Sequence, residues 1–377
     1  MPNIANLPQF TPYSTSAPIG FMQYQNPHYR PGYVHEFTLN TQTDLGHDLL
    51  LELAYVGAHG VHLGRGLLPN EALQASAAAP IRGQTTNTVA NINQRVPILG
   101  FYPTSLVENE TGGQSWYNGL QASVTKRLSK GSQFLVSYTF SKNLDTDAPN
   151  LTEADQGTSN DAIGNDRLPH GRYGRTNFDR AHRFVASYTY DLPGLRQAPG
   201  AFKVALNGWQ LSGVTTYQSG TALTLTAYNG TNVDGATNDF APLSGTCSHS
   251  DVVAAGSVVS KLNGYFNRSC FAVNPTTLAP IYPIVGDDGI ATGFGNSGAG
   301  TATGPGQKNW DIALIKHTHT GWPNDTANVE FRTEFFNAFN TPQFGNPDTT
   351  LSDAGFGQIT STSVNPRIIQ FALKLKF

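Results

Sequence analysis

Period-two alternation between apolar and polar residues recurs along this chain and constrains its fold more than any other feature. In the last nine residues of the ending RIIQFALKLKF, apolar side chains occupy every second position from Ile369 to Phe377, and polar or small ones lie between them. Side chains of a β-strand alternate between two faces, so each such segment predicts a strand with one apolar and one polar face. Nine segments share the pattern: 33–41, 49–57, 117–127, 133–142, 182–192, 208–218, 309–317, 329–336 and 367–377.

The composition favours strands and polar loops and excludes a helical membrane protein. Only 13% of the residues are charged and 38% are hydrophobic, whereas a soluble globular protein typically has about 25% charged residues. No stretch approaches the roughly 18 consecutive apolar residues of a membrane helix, but a membrane β-strand needs only about 9–11 alternating residues. The net charge of −3 and the lack of a basic cluster argue against a nucleic-acid partner.

The first ten residues, MPNIANLPQF, contain neither the basic segment nor the apolar stretch of a secretory signal. We therefore expect no signal peptide in this chain.

The connections between the nine segments alternate in length. The short ones are 42–47, 128–132, 193–204 and 319–326, and the long ones are 59–115, 143–179, 228–306 and 338–365. Soluble domains rarely contain several structureless loops of more than about 15 residues, whereas outer-membrane barrels combine short periplasmic turns with long extracellular loops. If Phe377 ends in the periplasm, every short connection is periplasmic and every long one is extracellular. We expect the long loops to be loosely packed.

The two faces of the predicted strands differ as expected for a barrel wall. The apolar face has aromatic residues near strand ends, which is typical of the girdles at membrane interfaces: Tyr55, Tyr190, Trp209, Tyr217 and Trp310. The opposite face has polar residues that would suit a wet lumen: Glu52, Gln121, Ser123, Thr125, Arg183, Gln210, Glu330, Arg332, Glu334 and Lys374. A large soluble sandwich with one wet face would alternate in the same way, so the loop lengths are what favour the membrane barrel.

Several long motifs resemble the C-terminal barrel of Oar-like TonB-dependent transporters, the large outer-membrane receptors of acidobacteria and related Gram-negative bacteria. The motifs are YNGLQASVTKRLSKGSQFLVSYTFSK, NFDRAHRFVASYTYDLP, FGNSGAGTATGPGQKNWDIAL, TEFFNAFNTPQFGNP and NPRIIQFALKLKF. LLLELAYVGAHGVHL (49–63) is similar to the family as well. The motifs occur in the family's order, and the resemblance covers most of the chain from about residue 25 onward. The resemblance implies a non-enzymatic transport protein of the cell outer membrane, without a cofactor, whose complete relatives carry a signal peptide, a regulatory-like domain, a plug and a 22-stranded barrel.

The chain departs from that plan in having fewer strands and no recognisable plug or TonB box. We therefore expect an all-β fold, an antiparallel transmembrane β-barrel of which this chain supplies a partial barrel of about nine or ten strands. Residues 1–31 are assigned to an extracellular loop or the remnant of a preceding strand, and residues 32–377 to the C-terminal part of the barrel. A tenth strand from residues 11–24 stays open because that segment alternates poorly. TonB would act only through a plug domain that this chain lacks.

The resemblance also explains why the chain stops on an aromatic residue. Relatives end in an aromatic residue with apolar partners at alternate positions upstream, a signal that the barrel-assembly machinery recognises. The predicted signal consists of Ile369, Phe371, Leu373, Leu375 and Phe377. An exposed strand edge can be extended by another sheet, which gives such recognition a physical basis. The alternative is that Phe377 merely completes a row that faces lipid.

Cys247 and Cys270 are the only cysteines, and they lie in one segment rich in Gly, Ser and Asn. A disulfide in an oxidising compartment and two separate thiols are both open. If the segment CSHSD were extended, Cys247, His249 and Asp251 would share one face. A second ligand cluster is lacking, so a polar loop is favoured over a metal site there.

Three further motifs are interpreted as structural. GFGNSG (293–298) has the spelling of a dinucleotide-binding loop, but AGTATGPG follows where a helix would have to begin, so we expect a glycine-rich loop. The acidic segment 145–161 lacks the spacing of a calcium-binding loop and is expected to be solvated. In DRAHR, Asp179, Arg180, His182 and Arg183 are expected to make rim contacts, without a catalytic role. We therefore predict no catalytic, cofactor-binding or metal-binding residues.

Three functions remain open at this point. The first is a TonB-dependent receptor that takes up a large nutrient, with outer-membrane lipid, the barrel-assembly machinery and an unknown extracellular ligand as partners. The second is a surface-exposed structural or adhesive outer-membrane protein that transports nothing. The third is a soluble β-sandwich that binds carbohydrate through exposed tyrosine and tryptophan.

Overall fold

The computed structural model describes residues 22–147, 163, 171–194, 200–228, 233–235, 238–274, 281, 284–285, 290–291, 294–322, 324 and 327–377. The β-strands are β1 (Met22–Gln25), β2 (Tyr33–Gly46), β3 (Leu49–Leu67), β4 (Leu106–Ser129), β5 (Ser132–Asp145), β6 (Gly174–Arg175), β7 (His182–Asp191), β8 (Trp209–Gln218), β9 (Ala222–Leu223), β10 (Thr226–Tyr228), β11 (Asn238–Phe240), β12 (Ile284–Val285), β13 (Ile290–Ala291), β14 (Ala302–Thr303), β15 (Gln307–His319), β16 (Asn328–Phe336) and β17 (Ile368–Lys376).

Helical structure is sparse. The two short α-helices are α1 (Ile92–Arg95) and α2 (Gly200–Leu206), and single 3₁₀ turns occur at Val89–Asn91, His249–Asp251, Val259–Lys261 and Arg268–Cys270. Within the described residues, no helix is both long and apolar enough to cross a membrane.

One large antiparallel sheet contains all nine strands that the alternation predicts. Its order is β2-β3-β4-β5-β7-β8-β15-β16-β17, so neighbours in the sheet follow one another along the chain apart from the short strands within loops. Each of the eight neighbouring pairs is antiparallel. Among the described residues, β2 and β17 do not pair with each other, so the sheet is open at both edges. The structure confirms the predicted all-β fold.

The strands near the N-terminus are longer than the alternation indicates. β3 continues to Leu67 and β4 begins at Leu106, whereas the pattern predicts a strand end near residue 57 and a start near 117. Gly60, Gly64, Gly112 and Gly113 interrupt the apolar row in these extensions, which hides the period. The paired extensions lengthen this side of the sheet and shorten the loop between β3 and β4.

The connections lie at two ends of the sheet, named here the turn rim and the loop rim. At the turn rim, β2 and β3 are joined by His47 and Asp48, and β4 and β5 by Lys130 and Gly131. All four residues have positive φ, as in the two-residue turns whose twist matches a hairpin. The loop rim has the four long connections, at 68–105, 146–181, 219–306 and 337–367.

The described residues of these four connections form the loop cap. The cap holds the main hydrophobic core of the described chain, built from residues between Leu223 and Phe356. The prediction of loosely packed long loops is therefore wrong for the described part, because apolar side chains from different loops bury one another.

β1 lies outside the sequential order of the sheet. It pairs in parallel with the loop-rim end of β4, from Met22 opposite Leu106 to Gln25 opposite Asn109. The described part of the segment proposed as a tenth strand, residues 22–24, thus lies against the extension of β4 and not beside β2. The other residues of that segment lie outside the described residues.

Candidate functional site: the loop cap and the two faces of the sheet

The polar face of the sheet presents ionisable and amide side chains from every strand. Residues directly opposite one another in neighbouring strands share a face, so the register tests the predicted faces. It places all ten predicted polar residues on one side: Glu52, Gln121, Ser123, Thr125, Arg183, Gln210, Glu330, Arg332, Glu334 and Lys374. A continuous polar surface therefore runs from β2 to β17.

A cluster of charges on this face ties the terminal strand to its neighbour. Glu330 accepts hydrogen bonds from Lys376 Nζ at 2.6 Å and from Arg332 Nη2 at 3.1 Å. Arg332 Nη1 also donates to Glu334 at 3.3 Å. Lys376 and Arg332 are partly exposed, where such pairs contribute little to stability. The cluster therefore specifies the register of β17 more than it stabilises the sheet.

The apolar face has rows of aromatic rings near the loop rim. Tyr217 lies 5.1 Å from Trp310 and 6.1 Å from Phe184, and Trp310 lies 5.2 Å from Phe339, all with edge-to-face geometry. The register places the predicted aromatic residues Tyr55, Tyr190, Trp209, Tyr217 and Trp310 on this face. Edge-to-face contacts join Phe184, Tyr217, Trp310 and Phe339 into a belt near the loop rim, whereas Tyr190 and Trp209 lie near the turn rim.

The apolar residues of the terminal strand also lie on this face. Ile369, Phe371, Leu373 and Leu375 are opposite Phe335, Thr333, Phe331 and Val329 of β16. Phe371 and Leu373 are 67% and 73% exposed, and Phe377 follows the strand with 79% exposure. Their outward position is compatible with either role considered for the terminal residues, an assembly signal or a row that faces lipid.

A buried ion pair within the loop between β5 and β7 is joined by a hydrogen bond to the extension of β3. Asp147 pairs with Arg172 at 2.7 Å, and Arg172 Nη2 also donates to the carbonyl of Gly66 at 2.8 Å. Asp145, Asp147 and Arg172 are each at least 95% buried. The prediction of a solvated acidic segment is therefore wrong at Asp145 and Asp147, because the fold encloses them with an arginine. The other acidic residues of that segment, Glu153, Asp155 and Asp161, lie outside the described residues.

The core of the loop cap joins two connections that are far apart in sequence. Phe356, from the loop before β17, stacks on Phe266 at 5.2 Å and meets Phe271 edge-to-face at 5.2 Å. Two backbone hydrogen bonds join the same two connections: Tyr265 N donates to Gly357 O and Ile359 N donates to Leu262 O, each at 2.8 Å. The buried members are Leu223, Leu225, Ala227, Ala241, Leu243, Val252, Tyr265, Phe266, Cys270, Phe271, Ala302, Leu351 and Phe356.

Cys247 and Cys270 form a disulfide at the side of this core. The sulfur of Cys247 is therefore not a thiolate ligand. His249–Asp251 is a 3₁₀ turn in which Asp251 accepts hydrogen bonds from Ser248, and these bonds hold the pKa of the Asp251 carboxyl below its usual value. The extended arrangement that would place Cys247, His249 and Asp251 on one face does not form.

Arg95 fastens the loop between β3 and β4 to the loop between β8 and β15. Its guanidinium is completely buried and donates to the carbonyls of Leu73 (2.5 Å), Thr88 (3.3 Å) and Val233. Burial lowers the pKa of Arg95, and the carboxylate of Asp234 opposes that shift. A buried cation that spans two loops fixes their relative position, because its removal would leave several carbonyls without a donor.

Gly235 completes the junction between these two loops. Its φ is +86°, and a Cβ added there would lie 2.3 Å from Cγ of Pro103. Only a residue without a side chain fits this conformation and this close approach. Nearby, Ala72 N donates to the carbonyl of Asp234 at 2.8 Å.

The glycine-rich and DRAHR motifs have structural roles, as predicted for their described residues. Gly295 N donates to Asp239 at 2.9 Å, and Asn296 accepts from Leu243 N at 2.7 Å, so the first motif packs within the cap. In the second motif, Arg180 donates to the carbonyl of Ser219 at 2.8 Å and His182 is hydrogen-bonded to Tyr138 at 2.8 Å.

The described residues contain no group of three or more His, Cys, Asp or Glu side chains placed to hold a metal ion. An open depression at the loop rim has a volume of about 310 Å³ and is lined by Asn337, Asn340 and Asn365 among others. Asn337 already donates to the carbonyls of Thr341 and Asn365, and Asn340 accepts from Arg367 N. These amides therefore hold the loop in its conformation.

The chain matches the family model described as "Outer membrane beta barrel domain" over residues 2–370. No curated protein matches it.

Three solved structures are similar at low identity. The outer membrane transporter YddB from Escherichia coli has 9% identity and a TM-score of 0.45, over 94% of this chain and 34% of that one. BauA, the ferric preacinetobactin receptor from Acinetobacter baumannii, has 11% identity and a TM-score of 0.40, over 93% and 31%. FpvA from P. aeruginosa, bound to heterologous pyoverdines, has 13% identity and a TM-score of 0.34, over 91% and 26%. The chain spans about a third or less of each.

Proposed function

Because the chain belongs to the family of outer membrane β-barrel domains, we propose that it forms part of the wall of a TonB-dependent transporter that takes up a large nutrient. Residues 32–377 supply wall strands with their turns and loops, and residues 1–31 are assigned to an extracellular loop or the remnant of a preceding strand. The apolar face contacts lipid, and the polar face lines a wet lumen. The turn rim lies in the periplasm and the loop cap outside the cell.

The direction of the two edge strands is the observation that carries this proposal. Eight successive antiparallel pairings separate β2 from β17, so the two strands run in the same direction. If β2 and β17 paired with each other to close the sheet, they would form a parallel pair. All eight neighbouring pairs along the sheet from β2 to β17 are antiparallel. Unpaired strand edges are not stable in lipid. An antiparallel closure therefore needs an odd number of further strands, which we assign to a longer polypeptide.

The DNA directly upstream of the coding sequence tests this assignment. We expect an in-frame region that encodes an export signal, a plug and an odd number of alternating strands. An in-frame stop codon with none of these elements would contradict the transporter proposal.

The roles of the partners follow from the same proposal. TonB would act through the plug, and the barrel-assembly machinery would recognise Phe377 with the apolar row that precedes it. The extracellular ligand would meet the loop cap and the polar face.

Three variants of the terminal strand test its role in the membrane, each made in the full-length parent. Leu373→Arg places a cation on the apolar face and should cost about 2–4 kcal/mol near the bilayer midplane. The neighbouring change Lys374→Glu lies on the polar face and should cost far less. Deletion of Phe377 should reduce assembly while leaving the hydrogen bonds of β17 intact. The measurement is the fraction of heat-modifiable, protease-resistant barrel in outer membranes.

Two outcomes would contradict these assignments. Equal damage from Leu373→Arg and Lys374→Glu would refute the two faces, and a normal yield without Phe377 would refute the assembly signal.

A surface-exposed structural or adhesive protein is the second candidate. The compact loop cap favours it, because a packed surface presents fixed contacts to a partner. Loss of TonB in the host should abolish ligand uptake by a transporter and leave surface adhesion unchanged. The soluble carbohydrate-binding sandwich has no support, because the chain belongs to the family of outer membrane β-barrel domains.

A further inference from the structure

The connection between β7 and β8 contains a helix where the sequence predicts a plain short turn. Within α2, the side chains of Phe202, Val204 and Leu206 are 67%, 58% and 47% exposed. Lys203 is the only charged residue of the helix. A seven-residue helix is not stable by itself in water, and burying exposed apolar side chains of this size would be favourable. The helix therefore needs both attachment and an apolar environment.

Two side chains of the sheet attach α2. Trp209 Nε1 donates to the carbonyl of Ala205 at 2.8 Å, and Lys316 Nζ donates to the carbonyl of Val204 at 2.5 Å and to that of Asn207. The ammonium group also lies 5.7 Å from the centre of the Trp209 ring. These bonds satisfy carbonyls at the C-terminal end of the helix, where a cation is favoured.

The attachment places α2 on the apolar side of the sheet. Trp209 and Lys316 are opposite each other in β8 and β15, in the row of residues that forms the apolar face at the turn rim. A lysine in this row can lay its methylene stem along apolar surface and keep its ammonium group in a polar layer. Tyr190 of β7, in the same row, is exposed beside them. Apolar surface is thus continuous from the sheet to the helix.

We propose that α2 is an interfacial anchor that lies in the phospholipid headgroup layer at the turn rim. Phe202 and Leu206, which lie one turn apart on the helix, point towards the acyl chains. Lys203 and Lys316 lie at the level of the phosphates, with which their charge is complementary. Interfacial helices of this kind bury their apolar face by about 5–10 Å, and Trp209 provides the aromatic residue typical of that depth.

This inference rests on the proposed membrane position of the sheet. Lipid is chosen as the partner of the exposed side chains of α2 because the helix continues the apolar face of the sheet. A protein partner would require a separate recognition surface. The anchor would hold the β7–β8 connection flat against the membrane and leave the polar face open at the turn rim.

Depth-dependent fluorescence quenching tests the anchor. Single cysteines at Phe202, Lys203 and Leu206 are labelled with an environment-sensitive fluorophore in the full-length parent, where Cys247 and Cys270 are paired with each other. The parent is incorporated into phosphatidylcholine vesicles with brominated acyl chains. Leu373→Cys serves as the reference for the apolar face, and Ser257→Cys, exposed in the loop cap, as the reference for water. All five positions are exposed, so the substitutions leave the packing intact.

We expect strong quenching at Leu373, intermediate quenching at 202 and 206, weaker quenching at 203, and none at Ser257. Quenching at Leu373 but not at 202 and 206 would overturn the anchor and leave the membrane position of the sheet in place. Lack of quenching at Leu373 as well would contradict the membrane position, and with it the anchor. Equal quenching at 202, 203 and 206 would refute the proposed orientation of the helix.

Discussion

Large apolar side chains are exposed on one face of the sheet and buried in the loop cap. In the terminal strand, Phe371 and Leu373 are largely exposed, whereas in the cap Phe356 is only 3% exposed and is enclosed by other aromatic rings. The sheet is held by its ladder of backbone hydrogen bonds, and the cap by a hydrophobic core with a disulfide. The difference agrees with the proposal that the chain has two solvents. Under that proposal lipid covers the apolar face of the sheet, and water surrounds the cap, which must therefore bury its own apolar residues.

The largest expected effect of a single change falls on the core of the cap. Phe356→Ala removes a ring that contacts Phe266 and Phe271 and should destabilise the cap by about 3–5 kcal/mol. The matched change Phe371→Ala, on the apolar face, removes a ring that protein does not enclose and should leave the cap unaffected. Hydrogen exchange of cap amides in the membrane-inserted full-length parent measures both effects. Equal protection of the cap in the two variants would contradict the contrast.

The disulfide should have the next largest effect, again confined to the cap. Cys247 and Cys270 are 23 residues apart, and closure of a loop of that size contributes about 3 kcal/mol in the chain-entropy model. The double variant Cys247→Ser, Cys270→Ser should make the cap sensitive to protease while the sheet remains inserted and resistant. Loss of the inserted fraction to the same extent would show that cap and sheet fold as one unit.

A smaller effect is expected at the junction of the two loops held by Arg95. Gly235→Ala introduces a Cβ at positive φ and against Pro103, and should cost about 1–3 kcal/mol. Gly264→Ala is the control, because open space surrounds a Cβ at that position. Protease cleavage within residues 68–105 should increase for the first variant only. The same cleavage rate in both would mean that the junction does not stabilise that loop.

The sequence predicts the sheet well because every strand repeats the same two-residue period. All nine strands, and the faces of residues such as Glu330 and Tyr217, follow from that period and its register. The extensions of β3 and β4 were underestimated because glycine interrupts their alternation. The helix α2 is too short to show a helical period.

The cap could not be predicted because its contacts have no period. Phe356 meets Phe266 and Phe271 across a long stretch of chain, and no local pattern marks these partners. Arg95 similarly follows an ordinary polar sequence, INQR, and its burial depends on a loop about 140 residues away. The spacing of Cys247 and Cys270 is the one sequence signal of compact structure in the cap. That spacing is equally compatible with a disulfide and with two free thiols.

The central claim is that the two faces of the sheet contact different solvents. A cysteine scan of the terminal strand tests this claim most directly. Single cysteines at positions 368–376 of the membrane-inserted full-length parent are exposed to a membrane-impermeant maleimide. Labelling should alternate: high at Gln370, Ala372 and Lys374, and low at Ile369, Phe371, Leu373 and Leu375. Uniform labelling along the strand would contradict the claim, because it would mean that water reaches both faces.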